Sequence, residues 1–138
     1  MLRNITDQLN ELLAHDKVEI LVDERDRHIT TGTKRNDLLS RAQGKYVWQI
    51  DDDDYIYPYS IKDILNACEK TPDVIGINGI MTTDGVKQVD WEIRLGHPYK
   101  AVQKGGKEYY LRHPNHITPM KREHAIKVQF PNVTVFED

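Results

Sequence analysis

One stretch, residues 45–58 with the sequence KYVWQIDDDDYIYP, limits what this chain can be more than any other. Its two halves have opposite chemistry. Tyr46, Val47, Trp48, Gln49 and Ile50 have the aromatic and β-branched composition of a strand packed into a sheet. Asp51, Asp52, Asp53 and Asp54 are among the poorest strand formers, so the strand ends there and the carboxylates sit at its carboxyl end. In open α/β sheets ligands bind outside that edge. Four adjacent carboxylates repel one another, and without a partner some take up protons or turn to water. A divalent cation relieves the repulsion, and hard cations such as Mg²⁺ or Mn²⁺ prefer oxygen ligands. The plain alternative is a solvated acidic turn with one Asp capping the next helix. The position behind a buried strand argues for the metal.

The 138 residues suit one domain with a modest core. A net charge of −3 shows no general bias towards nucleic acid. The single Cys68 excludes an internal disulfide and a cysteine-based zinc site. No apolar run approaches the roughly 20 residues that span a bilayer. The opening MLRNITDQLN has no apolar signal-peptide core, so a cytoplasmic protein is expected.

Ile5, Leu9, Leu12 and Leu13 fall on one face of a helix predicted from about Thr6 to Ala14, capped by Asn4 or Thr6. Residues 18–22 (VEILV) read as the first strand, ending in Asp23. Asp23 is then either a turn residue or a second carboxylate delivered to the acidic sheet edge. A helix is expected over 34–42, closed by Gly44, with Lys34 and Arg35 in its first turn. Cations are disfavoured there unless an anion is present, so these are either solvated side chains or part of a phosphate site. Pro58 and Ser60 open a further helix, with Ser60 and Asp63 spaced as a capping box. Its stripe of Ile61, Ile64, Leu65 and Cys68 makes Cys68 a small buried hydrophobe rather than a nucleophile.

A strand at 74–77 follows, and then the pattern changes. Asp84-Gly85 and Gly105-Gly106 each mark a hairpin turn. The first half therefore reads as alternating β and α units, and the second half as antiparallel additions. His113 and His116 flank Pro114, which prevents a regular helix from presenting them together, so a loop lining a pocket or ordinary surface histidines are the readings. A short helix is predicted at 121–128, and the chain ends on Glu137 and Asp138.

Taken together, the order of these signals resembles a family 2 glycosyltransferase, whose nucleotide-binding fold is GT-A. VEILVDE resembles the strand that ends in a base-contacting Asp. GTKRNDLLSRAQGKYVWQIDDDDYIYP resembles the stretch in which a helix with an Arg-Asn pair leads through Ala and Gly into a strand, a DXD motif and Pro. HITPMKREHAIKVQFPNVTVFED resembles the segment that closes on the family's acidic pair. The resemblance implies a GT-A-like α/β fold over residues 1–138, with a mixed, mostly parallel central sheet flanked by helices. It also implies a nucleotide-binding part of about 1–80 and an acceptor-side part of about 81–138.

By the same resemblance, Asp23 contacts the nucleobase, commonly uracil, and Lys34 and Arg35 lie near the nucleotide. Asp51 and Asp53 are the acids of the DXD motif. Asp53 binds the Mn²⁺ or Mg²⁺ that bridges the diphosphate, and Asp51 lies near the ribose or the metal. Asp138 is the general base. Glu137 and His116 lie on the acceptor side, although no motif assigns His116 its place. The family's opening strand of the form IPTYN and its segments beyond the acidic pair have no counterpart, so a minimal or truncated member is expected; whether a homo-oligomer forms and supplies that strand stays open.

The implied activity is metal-dependent transfer, with inversion, from a nucleoside-diphosphate sugar, commonly UDP-linked, to a glycan or other hydroxyl acceptor. Nucleic acid and a membrane span are not expected. Two other readings stand beside it. One is a non-catalytic module of the same fold that binds the nucleotide sugar. The other is a metal-dependent phosphoryl-transfer or nuclease domain, which the net charge and scattered cations disfavour.

Overall fold

A computed structural model describes residues 1–26 and 28–134. Helix α1 (Leu2–Leu12) packs on α3 (Ser60–Glu69), and Ile5, Leu9, Ala14, Ile56 and Ile61 form the buried cluster between them. Val18, Trp48, Ile50 and Leu65 pack around that cluster. Ile5, Leu9 and Leu12 form the expected stripe of α1, but Leu13 does not join it: it is the C-cap, with φ 50°, and its side chain is exposed. The helix also begins four residues earlier than predicted. Thr6 does not cap it, because its hydroxyl instead donates to the Leu2 carbonyl inside the helix. Gln8, 6% exposed, sews α1 to the segment before α3: its amide donates to the Tyr57 carbonyl and accepts from the Ile61 N–H.

Helix α2 (Thr31–Arg41) also starts before the predicted Lys34, because Thr30 is its N-cap and accepts from the Thr33 N–H. Its far end is closed by a side chain rather than by Gly44: Glu19 Oε1 accepts from the N–H groups of Gln43 and Gly44. Ser60 likewise forms no capping box. Tyr59 holds the N-cap position with φ 71° and no side-chain bond.

Strand β1 (Tyr46–Val47) pairs antiparallel with β6 (Met120–Lys121), which leads directly into α4 (Arg122–Ala125). On its other side β6 meets Val74. The remaining strands, β2 (Ile77–Thr83), β3 (Lys87–Ile93), β4 (Lys100–Lys104) and β5 (Lys107–Arg112), form one sheet in the order β2-β3-β5-β4. Both predicted hairpins are present. Gly105 and Gly106 make a two-residue loop between Lys104 and Lys107, both at the positive φ that follows the strand twist, while Asp84 and Gly85, also at positive φ, share a three-residue loop with Val86 between Thr83 and Lys87.

The architecture is α/β with a mixed sheet and flanking helices, as expected. Parallel pairing is less extensive than the first-half pattern predicts: among the described residues only β3 with β5 is parallel. The reason lies in residues 18–22 and 48–50, which make no ladder bonds. They are held by side chains instead, through Val18, Trp48 and Ile50 in the cluster and Glu19 on the end of α2.

Candidate functional site

The acidic block leaves the core where Ile50 does. The N–H of Asp54 bonds the carbonyl of Asp51 at 3.2 Å, so the block closes into a turn. Asp51 points back to the protein, while Asp52, Asp53 and Asp54 are exposed. Arg35 and His116 converge on Asp51. Arg35, on α2 and only 6% exposed, places Nη2 3.0 Å from Oδ1 and 3.3 Å from Oδ2. Its Nη1 donates to Gln49 Oε1 at 3.3 Å, and its guanidinium lies over the Phe130 ring at 5.8 Å. His116 brings Nε2 to 3.2 Å from Asp51 Oδ2. The hydrogen bond from His116, together with the charges of Arg35 and His116, outweighs partial burial and holds the Asp51 carboxyl below the usual carboxylate range.

His116 is placed by a rigid turn. Thr118, 1% exposed, accepts from the Asn115 N–H and returns its own N–H to the Asn115 carbonyl. Trp48 Nε1 donates to the Ile117 carbonyl at 3.0 Å, which ties this turn to the strand that delivers Asp51. His113 goes elsewhere, against the Tyr99 ring, so the two histidines do not act as a pair.

Asp23 and Lys34 belong to a neighbouring network on the same helix. Asp23, its side chain 4% exposed, receives Arg25 through Nε and Nη2, and Arg25 Nη2 also reaches Asp37 of α2 at 2.6 Å. Arg25 thereby holds the Asp23 carboxyl below its usual range. Lys34 Nζ donates to the Arg25 carbonyl at 2.5 Å. Lys34 and Arg35 therefore diverge, one to the Asp23 segment and the other to Asp51. Both acids are nevertheless tied to α2, Asp51 through Arg35 and Asp23 through Arg25 and Asp37.

The start of α2 is covered by its own chain. Thr30 and Thr33 hydroxyls donate to Asn132 Oδ1 at 2.5 and 2.9 Å, and the Gly32 N–H bonds the Val133 carbonyl at 3.0 Å. Asn36 exchanges two 2.9 Å bonds with the backbone of Phe130. A Cβ on Gly32 would sit 1.9 Å from the Pro131 carbonyl oxygen, so only glycine fits there. The expected anion site at this helix end is thus taken by residues 131–133. The contact leads the chain to the site helix just before Glu137 and Asp138, which lie outside the described residues. Gln49 and Asn36 are site residues that the sequence alone did not single out. A lone polar residue between Trp48 and Ile50 was the signal for the first, and the Arg-Asn pair for the second.

Among the described residues no group of three or more His, Cys, Asp or Glu side chains surrounds a cation position. The donor set still fits Mg²⁺ or Mn²⁺, since Mg²⁺ is commonly bound through one or two carboxylates plus substrate phosphates. Asp53 is exposed beside Asp54, whose carboxyl is raised by loss of solvent and by the charges of Asp51 and Asp53. That is the repulsion a cation relieves.

No helix among the described residues is long and apolar enough to cross a membrane. Comparison with curated proteins and with solved structures finds no match. The family model for glycosyl transferase family 2 matches residues 3–131, a span that contains Asp23, Lys34, Arg35, Asp51, Asp53 and His116. A helix-anchored acid beside exposed carboxylates, in a chain matched over nearly its whole length, leads to one conclusion: this protein belongs to the family 2 glycosyltransferases and carries their GT-A domain.

Proposed function

We propose that the chain is a metal-dependent, inverting glycosyltransferase that moves a sugar from a UDP-sugar to a hydroxyl acceptor such as a glycan. The observation that carries this reading is the buried Arg35 gripping Asp51 while Asp53 is left exposed two residues on. A carboxylate fixed by a buried guanidinium keeps its direction, and its exposed neighbour has charge to give. In this reading residues of about 1–80 hold the nucleotide and about 81–138 face the acceptor. Asp23 meets the nucleobase, with Lys34 and Arg35 near the nucleotide and Asp51 near the ribose. Asp53, with Asp51 beside it, holds Mn²⁺ or Mg²⁺. When bound, the cation supplies positive charge to the diphosphate leaving group as the glycosidic bond breaks.

The acceptor oxygen forms the new bond at the anomeric carbon from the face opposite the departing diphosphate, which inverts the centre. Its proton passes to a carboxylate, assigned here to Asp138, with Glu137 and His116 on the acceptor side. The docking of residues 130–133 on α2 supports that assignment, because it seats a segment five residues before Asp138 on the helix whose Arg35 grips Asp51. A cytoplasmic location suits a donor made there, and a homo-oligomer is compatible with the reading.

Calorimetric titration of UDP with and without Mn²⁺, on the native chain and on Asp53→Ala, tests it. Binding is expected to need both the metal and Asp53, with the fold unchanged in the variant. UDP binding that ignores both would remove the metal from the reading. Asp138→Asn is expected to spare UDP binding and abolish transfer. Binding without any sugar transfer in the native chain would instead leave a nucleotide-sugar-binding module.

A further inference from the structure

The four-stranded sheet carries a second feature that the donor site does not use. Its register places Gly79, Trp91, Tyr110 and Ala101 in one row across the strands. Steps of two residues from that row put Met81, Tyr99 and Arg112 on the same face. There Met81, Tyr99, Ala101, Tyr110 and Arg112 line a cavity of about 340 Å³. The guanidinium of Arg112 lies 5.3 Å from the Tyr99 ring centre and 5.9 Å from that of Tyr110. Its Nε is buried without a hydrogen-bond partner, and its Nη2 reaches only the Met81 sulfur at 3.6 Å, a weak acceptor. No carboxylate pairs with it among the described residues. The faces of this cation are covered by rings, and its edges lack a strong acceptor.

An arrangement of that kind costs stability, because a half-buried cation has lost water without gaining a counter-charge. A methionine or leucine would fill the same space without that cost. What the guanidinium adds is a fork that matches a carboxylate through two parallel hydrogen bonds. The flanking tyrosines add flat apolar walls with polar tips, suited to the C–H face of a sugar ring. Tyr99 is 66% exposed, so its ring gains little from burial in the fold.

We propose that this slot is a subsite for an acidic glycan, taking the carboxylate of a hexuronate on Arg112 with the sugar ring against Tyr99 and Tyr110. The placement suits an acceptor. Strand β5 leaves the slot at Arg112 and reaches His116 four residues later, a span of at most about 14 Å. His116 stands on Asp51, so an oligosaccharide of a few rings can lie in the slot and present a hydroxyl at the donor site. This role as acceptor rests on the transferase reading, whereas binding of the acidic glycan does not.

The test is titration of digalacturonic acid, a sulfated disaccharide and neutral cellobiose into the full chain, followed by calorimetry and by the tyrosine ring resonances. The uronate is expected to bind about tenfold more tightly than cellobiose or better, the scale of a charge-assisted hydrogen bond. Arg112→Met is expected to lose that margin without a fall in melting temperature, and Arg112→Lys to lose part of it. Tyr99→Ala, at an exposed position, is expected to weaken the uronate while keeping the fold. All three are expected to bind UDP with Mn²⁺ as the native chain does. Equal affinity for cellobiose, no uronate binding, or an Arg112→Met variant that binds like the native chain overturns the proposal. Sulfate preferred over carboxylate overturns the hexuronate assignment. Asp53→Ala separates the two readings: it is expected to lose UDP and keep the uronate. If the native chain binds the uronate but no UDP, the subsite stands and the transferase reading falls. If it binds UDP but no uronate, the transferase reading stands and the subsite falls.

Discussion

Arg35 is the residue on which the donor site depends. It is buried, it grips Asp51 and Gln49, and it stacks on Phe130, so it joins the acidic turn to the segment that precedes the chain end. Removing one member of a buried ion pair leaves the other uncompensated, although Asp51 keeps 40% of its side chain in water. Arg35→Met is therefore expected to cost about 2–3 kcal/mol in urea unfolding, below the roughly 3–5 kcal/mol of a fully buried pair because Asp51 stays partly in water. A cost below about 0.5 kcal/mol would mean that the pair contributes no more than a surface contact. Asp23 makes a prediction in pH. Arg25 lowers its folded carboxyl below the unfolded value, so the stabilisation is complete above the unfolded value of about 4 and is lost as pH falls through the folded one. Asp23→Asn is expected to lower the melting temperature at pH 7, and the gap from the native chain should close below about pH 4. A gap unchanged at about pH 2 would show that charge is not the cause. At this scale the sequence was legible where chemistry is local. Four adjacent aspartates announce themselves, whereas the partnership of Arg35 with Asp51, sixteen residues away, has no local signature, and neither the residues nor the resemblance predicted it.

The central element is α2, which turns Arg35 to Asp51, Asn36 to Phe130, and both Lys34 and Asp37 to Arg25. Its stripe and caps were only half readable. Thr30 caps it, and the same hydroxyl holds Asn132, a contact 102 residues away in sequence. The two hairpins, by contrast, were readable, because Asp-Gly and Gly-Gly mark their turns locally. Residues 18–22 misled for a physical reason: only Val18 of them packs on the cluster beside α1 and α3, Ile20 and Val22 are exposed, and an apolar run does not state whether ladder bonds accompany it. Asn36→Ala is the test of how this helix governs the chain end. It leaves the Phe130 N–H and carbonyl without partners, at a cost of about 1–3 kcal/mol. If Asp138 is the base, the same change should lower kcat for transfer more than it raises KM for the donor. A change confined to donor KM would place the effect at the nucleotide instead.

At the scale of the molecule, the chain divides its structural work. The apolar cluster lies among α1, α3, Val18, Trp48 and Ile50, on the side of the acidic turn. The four-stranded sheet packs chiefly within itself, with Ile93 and Val89 at its centre. Residues 117–121 join the two through Trp48, Ile75 and β1. A ligand stabilises the elements it touches, and protection from hydrogen exchange reports that element by element. UDP with Mn²⁺ is therefore expected to slow exchange in α2, in residues 46–54 and in the 115–121 turn. The hairpin tips at 84–86 and 104–107 are expected to keep their free-state rates. A hexuronate disaccharide should give the complementary pattern, slowing β4 and β5 first. Uniform slowing by either ligand would mean that the sheet and the helical part open as one unit, and the boundary near residue 80 would then have no energetic meaning. Separate patterns would give the two halves distinct binding roles, with His116 as the point where one strand exit meets the donor acid.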